Sequence, residues 1–362
     1  MSLETFWFIL IGVLWTGYLV LEGFDFGVGM LLGILGHDSP ATPNSPGEDA
    51  GTRKRVLLNA IGPFWDGNEV WLITAGGATF AAFPAWYASM FSGFYLAFLL
   101  LVVALILRNM GLDYRHKRSG ATWQRRWDII IITCSVLAPL LVGVALTNLV
   151  RGVPLDKAGD FTGTLLTLLN PWSLLGGLTI VALSLTHGCF FIALKTDGQI
   201  RHDARALGTK AGLVSAGLAV VLLAWVNVHT GTTWSWITAA VGAVALLGAL
   251  AANLRGREGF AFSGTMLTIG LATATYFLAL FPDVMPSTTN AAYSLTVTNA
   301  SSSHLTLQIM TGAALVMTPI VIVYSAWSYW IFRKRITADT IGVKHDPLTP
   351  LAPSEPLAEA PH

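Results

Sequence analysis

Charged residues are scarce in this sequence. Asp, Glu, Lys and Arg together make up 11% of its 362 residues, and 54% of the residues are hydrophobic. Soluble domains contain about 25% charged residues. The composition therefore excludes an ordinary soluble enzyme and indicates an integral membrane protein, and a formal net charge of +1 gives no reason to expect a nucleic-acid partner.

Cysteine is also rare. Cys134 and Cys189 each lie within an apolar stretch, and neither belongs to a CxxC or CxxCH pattern. No disulfide framework, thiolate metal site or covalent haem attachment is therefore indicated. The sequence has no Walker or Rossmann glycine loop either, which argues against a nucleotide-driven pump subunit.

Long apolar runs are what the sequence has in abundance. A membrane-spanning helix needs about 20 predominantly apolar residues, and nine stretches provide them: residues 6–36, 56–82, 84–110, 127–150, 165–195, 208–229, 234–254, 260–281 and 305–332. The first run has Glu4 rather than basic residues ahead of it, so it predicts a retained helix and not a cleaved signal peptide.

The basic residues are distributed unevenly around these runs. All but two of the 21 Lys and Arg residues follow the first, third, fifth, seventh or ninth run, and the exceptions are Arg151 and Lys157. The positive-inside rule then places the N-terminus outside and the C-terminus in the cytoplasm, which requires an odd number of spans. The sequence thus predicts an all-α, polytopic membrane protein with nine transmembrane helices.

The linkers between most runs are short, which predicts a single transmembrane domain over residues 1–336. Residues 37–52 form a Pro/Ser/Gly-rich inner loop, and residues 337–362 are predicted to be a disordered cytoplasmic tail. The outer loop at 281–305 is rich in hydroxyl and amide groups. We expect it to be a solvated loop, with ligand binding as the alternative.

Four carboxylates interrupt the first two runs. Glu22 and Asp25 lie in "VLEGFDFGVGMLLGILG", and Asp66 and Glu69 lie in "WDGNEVWL". Four ionised groups at the bilayer centre would cost on the order of 10 kcal/mol, so they are expected to be protonated, paired or hydrated. Their placement predicts a proton relay or a cation site; the structural alternative is that they cap a broken helix or pair with Arg108.

The spacing of the glycines in the first run indicates that its acids face protein rather than lipid. Gly23 with Gly27, and Gly29 with Gly33, are small-xxx-small pairs that allow a second helix to approach closely.

Other polar residues within the runs are expected to make hydrogen bonds between helices, namely His187, Asn148, Asn170 and Asn227. A lone buried histidine is also a candidate haem ligand. The sequence contains no HExxH pattern and no spaced histidine pair, so no metal site is predicted.

Five segments occur in an order and spacing that resemble subunit II of the bacterial cytochrome bd quinol oxidases. They are "EGFDFGVGML", "IGPFWDGNEVWLITAGGATFAAFP", "SGFYLAFLLLVVALILRNMGLDYRHK", "FPDVMPS" and "SSSHLTLQIMT". The resemblance covers nearly all of residues 5–335, and the "WDGNEVWL" block is its most specific part.

The resemblance implies two four-helix bundles plus one peripheral helix, in a bacterial cytoplasmic (inner) membrane. It implies an obligate heterodimer with a subunit I that holds haem b and haem d, or a second haem b, and that oxidises quinol and reduces O2. Subunit II would supply stability, contacts with lipid or a structural quinone, and part of a cytoplasmic proton path. Small accessory single-helix subunits are further candidate partners.

The resemblance also assigns roles to individual residues. Asp66 matches the buried acid of the family, Trp65 and Asn68 would lie near a haem at the subunit boundary, and Arg108 and Asp113 match residues near the mouth of the proton path. Glu22, Asp25 and Glu69 would continue that path; at Glu22 the family pattern admits Asp, which is shorter by one methylene.

A different class of function also fits the intramembrane acids, namely a proton- or cation-coupled transporter or channel subunit. Transporters usually have broken helices at corresponding positions of two halves. Here the acids occur only in the first two runs, which favours the oxidase. A scaffold whose acids are purely structural is the third alternative.

Overall fold

A computed structural model describes residues 2–40 and 47–336. The predicted tail at 337–362, and part of the predicted inner loop, lie outside these residues. The described chain is almost entirely helical, with these helices: α1 Leu3–Ile34, α2 Ala50–Ile61, α3 Trp65–Ala82, α4 Pro84–Gly93, α5 Tyr95–Tyr114, α6 Ala121–Arg151, α7 Leu165–Leu168, α8 Pro171–Lys195, α9 Gln199–Thr230, α10 Thr233–Leu254, α11 Glu258–Leu280 and α12 His304–Ile331.

Eight of these helices in the described chain are long and apolar enough to cross a membrane: α1, α5 with its short extension to Lys117, α6 and α8 to α12. The expectation of one continuous helix over 56–82 is wrong, because α2 and α3 are separated by a turn at residues 62–64. Pro63 lies in this turn, and proline has no N–H to donate and clashes with the preceding helical turn. The acids and Asn68 at the start of α3 further lower its hydropathy.

The run at 84–110 also forms two helices, α4 and α5, with a break at Phe94. In the run at 165–195, the short α7 is followed by α8, which begins with Pro171 at a position where its missing N–H is not needed. Asn170 caps α8 by accepting a hydrogen bond from the Ser173 N–H. Helix α9 starts at Gln199, well before the predicted 208, because its first turns lie among polar loops where hydropathy gives no signal.

The helices form two groups and one outlier. Helix α1 packs against α3 and α6, and α6 packs against α5; this set is the first bundle. Helices α8, α9, α10 and α11 pack in a ring, α8 against α9 and α11 against α8, and this set is the second bundle. Helix α12 lies at the periphery, where only Leu307 of its 28 residues is buried.

The two bundles meet where α8 packs against α6 and crosses α1. A Cβ at Gly27 would lie 2.1 Å from the Ser184 carbonyl oxygen, and one at Gly188 would lie 2.6 Å from the Gly27 backbone. The close approach predicted from the Gly23/Gly27 spacing is therefore present at Gly27. On the other side of α1, a Cβ at Gly29 would lie 2.0 Å from the Ser135 hydroxyl of α6.

The loop predicted at 281–305 is ordered and not simply solvated. It contains two short antiparallel strands, β1 Asp283–Met285 and β2 Leu295–Thr296, and Val284 and Met285 are fully buried. Backbone hydrogen bonds join Val153 to Pro286 and Thr288, each at 3.0 Å, and Ser302 to Ala82 at 2.8 Å. The loop thus covers the end of the first bundle opposite Arg108.

Candidate functional site

A buried ion pair lies at the centre of the first bundle. Arg108 Nη1 of α5 donates to Glu22 Oε1 of α1 at 2.6 Å, and both side chains are completely buried. The guanidinium carbon also lies 4.8 Å from the centre of the Phe26 ring. The pairing of one acid with Arg108, expected as an alternative, is therefore present at Glu22.

Asp25 lies one helical turn after Glu22 and binds an amide instead of a cation. Asn68 Nδ2 of α3 donates to Asp25 Oδ2 at 2.6 Å and to the Leu21 carbonyl at 3.2 Å. The Asn68 Oδ1 accepts a hydrogen bond from the Tyr329 hydroxyl of α12 at 2.7 Å. Three helices are thus joined through a single asparagine side chain.

Glu69 is the third acid of this site. It is half-buried, and its Oε2 accepts a hydrogen bond from the Asn109 amide of α5. Asn109 directly follows Arg108, so two consecutive residues of α5 donate hydrogen bonds to different acids. Asn109 donates to Glu69, and Arg108 donates to Glu22. We call Glu22, Asp25, Asn68, Glu69, Arg108 and Asn109 the acid cluster.

The acid cluster has more acids than cations. One guanidinium faces three carboxyl groups, and two of those receive only a neutral amide donor. Several buried polar atoms at the cluster also have no hydrogen-bond partner among the described residues: Tyr18 Oη, Glu22 Oε2, Asp25 Oδ1, Glu69 Oε1, Asn109 Oδ1, and Arg108 Nε and Nη2. Such atoms are usually satisfied by buried water, so the geometry favours a hydrated site that holds exchangeable protons.

Two predicted site residues lie outside the acid cluster. Asp66 is exposed on α3, and Trp65 beside it is half-buried, so the expectation that Asp66 is buried is wrong for this chain by itself. The buried face of α3 contains Asn68, Ala75 and Thr79. Since each residue of a helix advances by about 100°, Asp66 points away from that face.

Asp113 is the second predicted residue outside the cluster. It is exposed near the end of α5, about 7.5 Å along the helix axis from Arg108 at 1.5 Å per residue. Around it lie the basic residues of the 3-10 turn Arg115–Lys117. The structure therefore separates a buried cluster from an exposed acid at the end of the same helix.

Asn109 and Tyr329 were not predicted as site residues. Asn109 could have been predicted from the sequence, because an amide next to a buried arginine needs a hydrogen-bond partner. Tyr329 had none, since a tyrosine near the end of an apolar run is typical of the aromatic belt at a membrane surface.

Comparisons with known proteins agree with this geometry. A family model described as "Cytochrome bd terminal oxidase subunit II" matches residues 3–332. The chain belongs to this family. It is 39% identical to cytochrome bd ubiquinol oxidase subunit 2 of Bacillus subtilis, over 93% of this chain and 97% of that protein. It is 37% identical to cytochrome bd-I ubiquinol oxidase subunit 2 of Escherichia coli K12, over 94% of this chain and 96% of that protein.

The fold is also similar to that of a solved structure of bd oxidase from Geobacillus thermodenitrificans. The TM-score is 0.70 at 17% sequence identity, over 92% of this chain and all of that chain. At this identity the similarity concerns the fold alone. As a cytochrome bd oxidase subunit II, the chain is a multi-pass membrane component of a respiratory terminal quinol oxidase, an oxidoreductase complex that contains haem and a subunit I.

The candidate haem ligand of this subunit II is not available for that role. His187 is completely buried, and both ring nitrogens are engaged: Nδ1 with the Thr265 hydroxyl at 2.6 Å and Nε2 with the Val20 carbonyl at 3.2 Å. Its ring stacks on Phe262 at 4.5 Å. The prediction of an interhelical hydrogen bond is correct for His187, and the residue does not fit an axial haem ligand.

Proposed function

We propose that this chain supports a haem-bearing subunit I in a bacterial cytoplasmic membrane and ligates no haem itself. In this proposal subunit I holds haem b together with haem d or a second haem b. Quinol oxidation and O2 reduction also take place in subunit I. The exposed face of α3 with Trp65 and Asp66, next to the peripheral helix α12, is the face we assign to subunit I. Lipid, a structural quinone and small single-helix subunits are further proposed partners.

We propose further that the acid cluster is a segment of the proton path that serves O2 reduction. Reduction of O2 to water consumes protons, which have to cross a low-dielectric region to reach a buried haem. The observation that carries this proposal is the excess of buried carboxyl groups over cations, together with unpartnered polar atoms that water can join. Asp113, near the basic end of α5, would lie at the cytoplasmic entrance.

The nine-span topology with the N-terminus outside remains part of the proposal. It requires α2 and α3 together to act as one broken span in addition to the eight long helices. Single cysteines introduced at residues 111–121 should react with a membrane-impermeant reagent only from the cytoplasmic side, and those at 287–303 only from outside. The reverse labelling pattern would contradict this topology.

Asp25→Asn in the complete complex tests the proton path. Asparagine keeps the size of the side chain but cannot exchange a proton, so quinol oxidation should slow by about tenfold or more, while haem content stays unchanged. Asp66→Asn tests the exposed acid separately; we expect slower turnover there too, and partial activity for Asp66→Glu.

Asp283→Asn is the matched control, because Asp283 lies in β1, outside the spans. Burial raises the pKa of Asp283, so this variant also changes a partly buried acid. It should turn over at the wild-type rate. If Asp25→Asn assembles with full haem content and also turns over normally, the acid cluster is a structural scaffold and the proton path is wrong.

The transporter alternative has weaker support in the structure. In a cation-coupled transporter the acids would have to bind a cation, yet Arg108 already occupies the centre of the cluster. A proton-coupled transporter would need broken helices in two corresponding halves, and the acids lie only in α1 and α3. Among the described residues there is no group of three or more His, Cys, Asp or Glu side chains arranged to hold a metal ion. Cation uptake by vesicles that contain the complex, measured without quinol and O2, would support the transporter alternative.

A further inference from the structure

We propose that Tyr329 is a positioning residue: it holds the Asn68 amide in the orientation that directs an N–H donor at Asp25. The inference rests on the proposed proton path, and it concerns a residue of the peripheral helix that does not touch the acid directly. Its basis is the hydrogen-bonded series Tyr329, Asn68, Asp25, with successive distances of 2.7 and 2.6 Å.

An asparagine side chain presents a donor on one side and an acceptor on the other. Its terminal torsion has two nearly equivalent settings, so the partners decide which side faces Asp25. The Leu21 carbonyl can only accept, which places Nδ2 toward Leu21 and Asp25. The Tyr329 hydroxyl then donates to Oδ1, and no second donor to this oxygen occurs among the described residues.

Loss of the Tyr329 hydroxyl would remove the hydrogen bond to Asn68 Oδ1. The Asn68 Oδ1 would be left buried without a partner, which is costly in a low-dielectric environment. Turning the amide over would bring Oδ1 toward Asp25, where it could be satisfied only by a protonated carboxyl group. A phenol hydroxyl is a better donor than acceptor, so Tyr329 adds to the orientation that the Leu21 carbonyl already favours, with Nδ2 toward Asp25. That orientation stabilises an ionised Asp25.

The surroundings hold the Tyr329 ring in place. The ring stacks on Phe64 with a centroid distance of 4.5 Å and an interplanar angle of 9°. Phe64 lies in the turn between α2 and α3, so the break at Pro63 presents this ring to α12. Lys195 Nζ lies 5.5 Å from the Phe64 centroid and donates to the Phe332 and Lys334 carbonyls, just after the end of α12.

Most other residues of α12 are exposed, so these contacts at its C-terminal end are unusual for this helix. Leu307 is its single buried residue, and the Trp7 indole donates to Leu307 and Thr311 near the opposite end. Tyr329 packs against the core cluster that includes Phe64. Specific polar and aromatic contacts at this end of the helix add to that packing.

The charges around Asp25 would not change in a Tyr329→Phe variant. The titratable groups that interact electrostatically with Asp25 are Glu22 of α1, Glu69 of α3 and Arg108 of α5, with Tyr329 as a phenol. Phenylalanine removes a neutral hydroxyl and leaves the guanidinium and both other acids in place. Any change in the protonation of Asp25 then has to arise from hydrogen-bond orientation.

Tyr329→Phe in the complete complex tests the proposal. Phenylalanine keeps the stacking on Phe64, so the complex should assemble with full haem content. We expect turnover to fall about threefold to tenfold, the range for one interhelical hydrogen bond in a membrane protein, and its pH dependence to shift. The infrared carbonyl-stretch signal of protonated Asp25, identified by its absence in Asp25→Asn, should increase.

Tyr324→Phe is the matched control on the same helix. Tyr324 is 49% exposed, and its hydroxyl makes no hydrogen bond with the described residues. It should leave both the infrared signal and the pH dependence unchanged. If Tyr329→Phe slows turnover without altering either readout, its role is packing only and the inference is wrong. If the infrared signal rises while Asp25→Asn turns over normally, the orientation role stands and the proton path fails.

Discussion

The two helix bundles contain similar amounts of buried polarity but use it differently. In the interior of the second bundle, neutral side chains pair with one another: Thr186 with Ser215 at 2.9 Å, Thr238 with Thr275 at 2.9 Å, His187 with Thr265 at 2.6 Å, and Asn227 with Ser235 at 2.6 Å. Its buried charged residues, Lys195 and Glu258, lie at helix ends. In the first bundle the acid cluster is charged, and many of its polar atoms are unpartnered.

Under the proposed proton path, this difference separates a structural use of polar residues in the second bundle from a functional use in the first. Paired hydroxyl and amide groups hold helices together and leave no capacity for another molecule. Surplus carboxyl groups with free lone pairs can accept protons and water. The presence of polar residues inside a span is therefore less informative than whether their hydrogen bonds are complete.

Arg108→Met should have the largest effect, because it removes the single cation of the acid cluster. Breaking a buried ion pair by removing one partner costs about 3 to 5 kcal/mol, and three carboxyl groups would remain without a counter-charge. We expect little or no assembled complex, measured as haem-containing heterodimer after mild solubilisation.

The double variant Glu22→Gln with Arg108→Met sharpens this test. It removes both members of the ion pair, so it should assemble better than Arg108→Met alone. Equal loss of complex in the two variants would mean that Arg108 acts through its packing against Phe26 rather than through its charge.

Gly27→Leu should have an intermediate effect, because it forces α1 and α8 apart without replacing any residue of the acid cluster. Any Cβ at this position would lie 2.1 Å from a backbone oxygen of α8, so the helices have to move apart. We expect a clear fall in the melting temperature of the complex. Gly23→Ala is the control, since its Cβ would meet Ser184 Oγ at an ordinary 3.8 Å.

Thr186→Val should have the smallest effect. It removes one neutral hydrogen bond between α8 and α9, a type that contributes about 0.6 kcal/mol on average in membrane proteins. Stability should fall slightly, and quinol oxidation should proceed at the wild-type rate. A large loss of turnover here would show that the second bundle also takes part in proton transfer.

Much of the architecture could be predicted from the sequence. Apolar runs located the long helices, and glycine spacing predicted that another helix approaches α1 closely, as α8 does at Gly27. The carboxylates of α1 and the pairing of one acid with Arg108 were accessible as well, because an intramembrane charge has few ways to be stabilised.

The rest depended on information that the sequence pattern does not contain. The position of both acids inside one apolar run predicted that both are buried. The turn at Pro63 starts a separate helix, on which Glu69 is half-buried and Asp66 is exposed. Tyr329 joins the site across 261 residues, and no local pattern marks such a distant partner.

The long separation of Asn68 and Tyr329 has a consequence for biogenesis. Ribosomes add about 5 to 20 residues per second, so Asn68 is made on the order of tens of seconds before Tyr329. During this interval α1, α3 and α5 can already enter the membrane, but the Asn68 amide lacks its phenol partner. The site is completed only after α12 inserts, which links the final hydrogen bond around Asp25 to the synthesis of a helix far downstream in the chain.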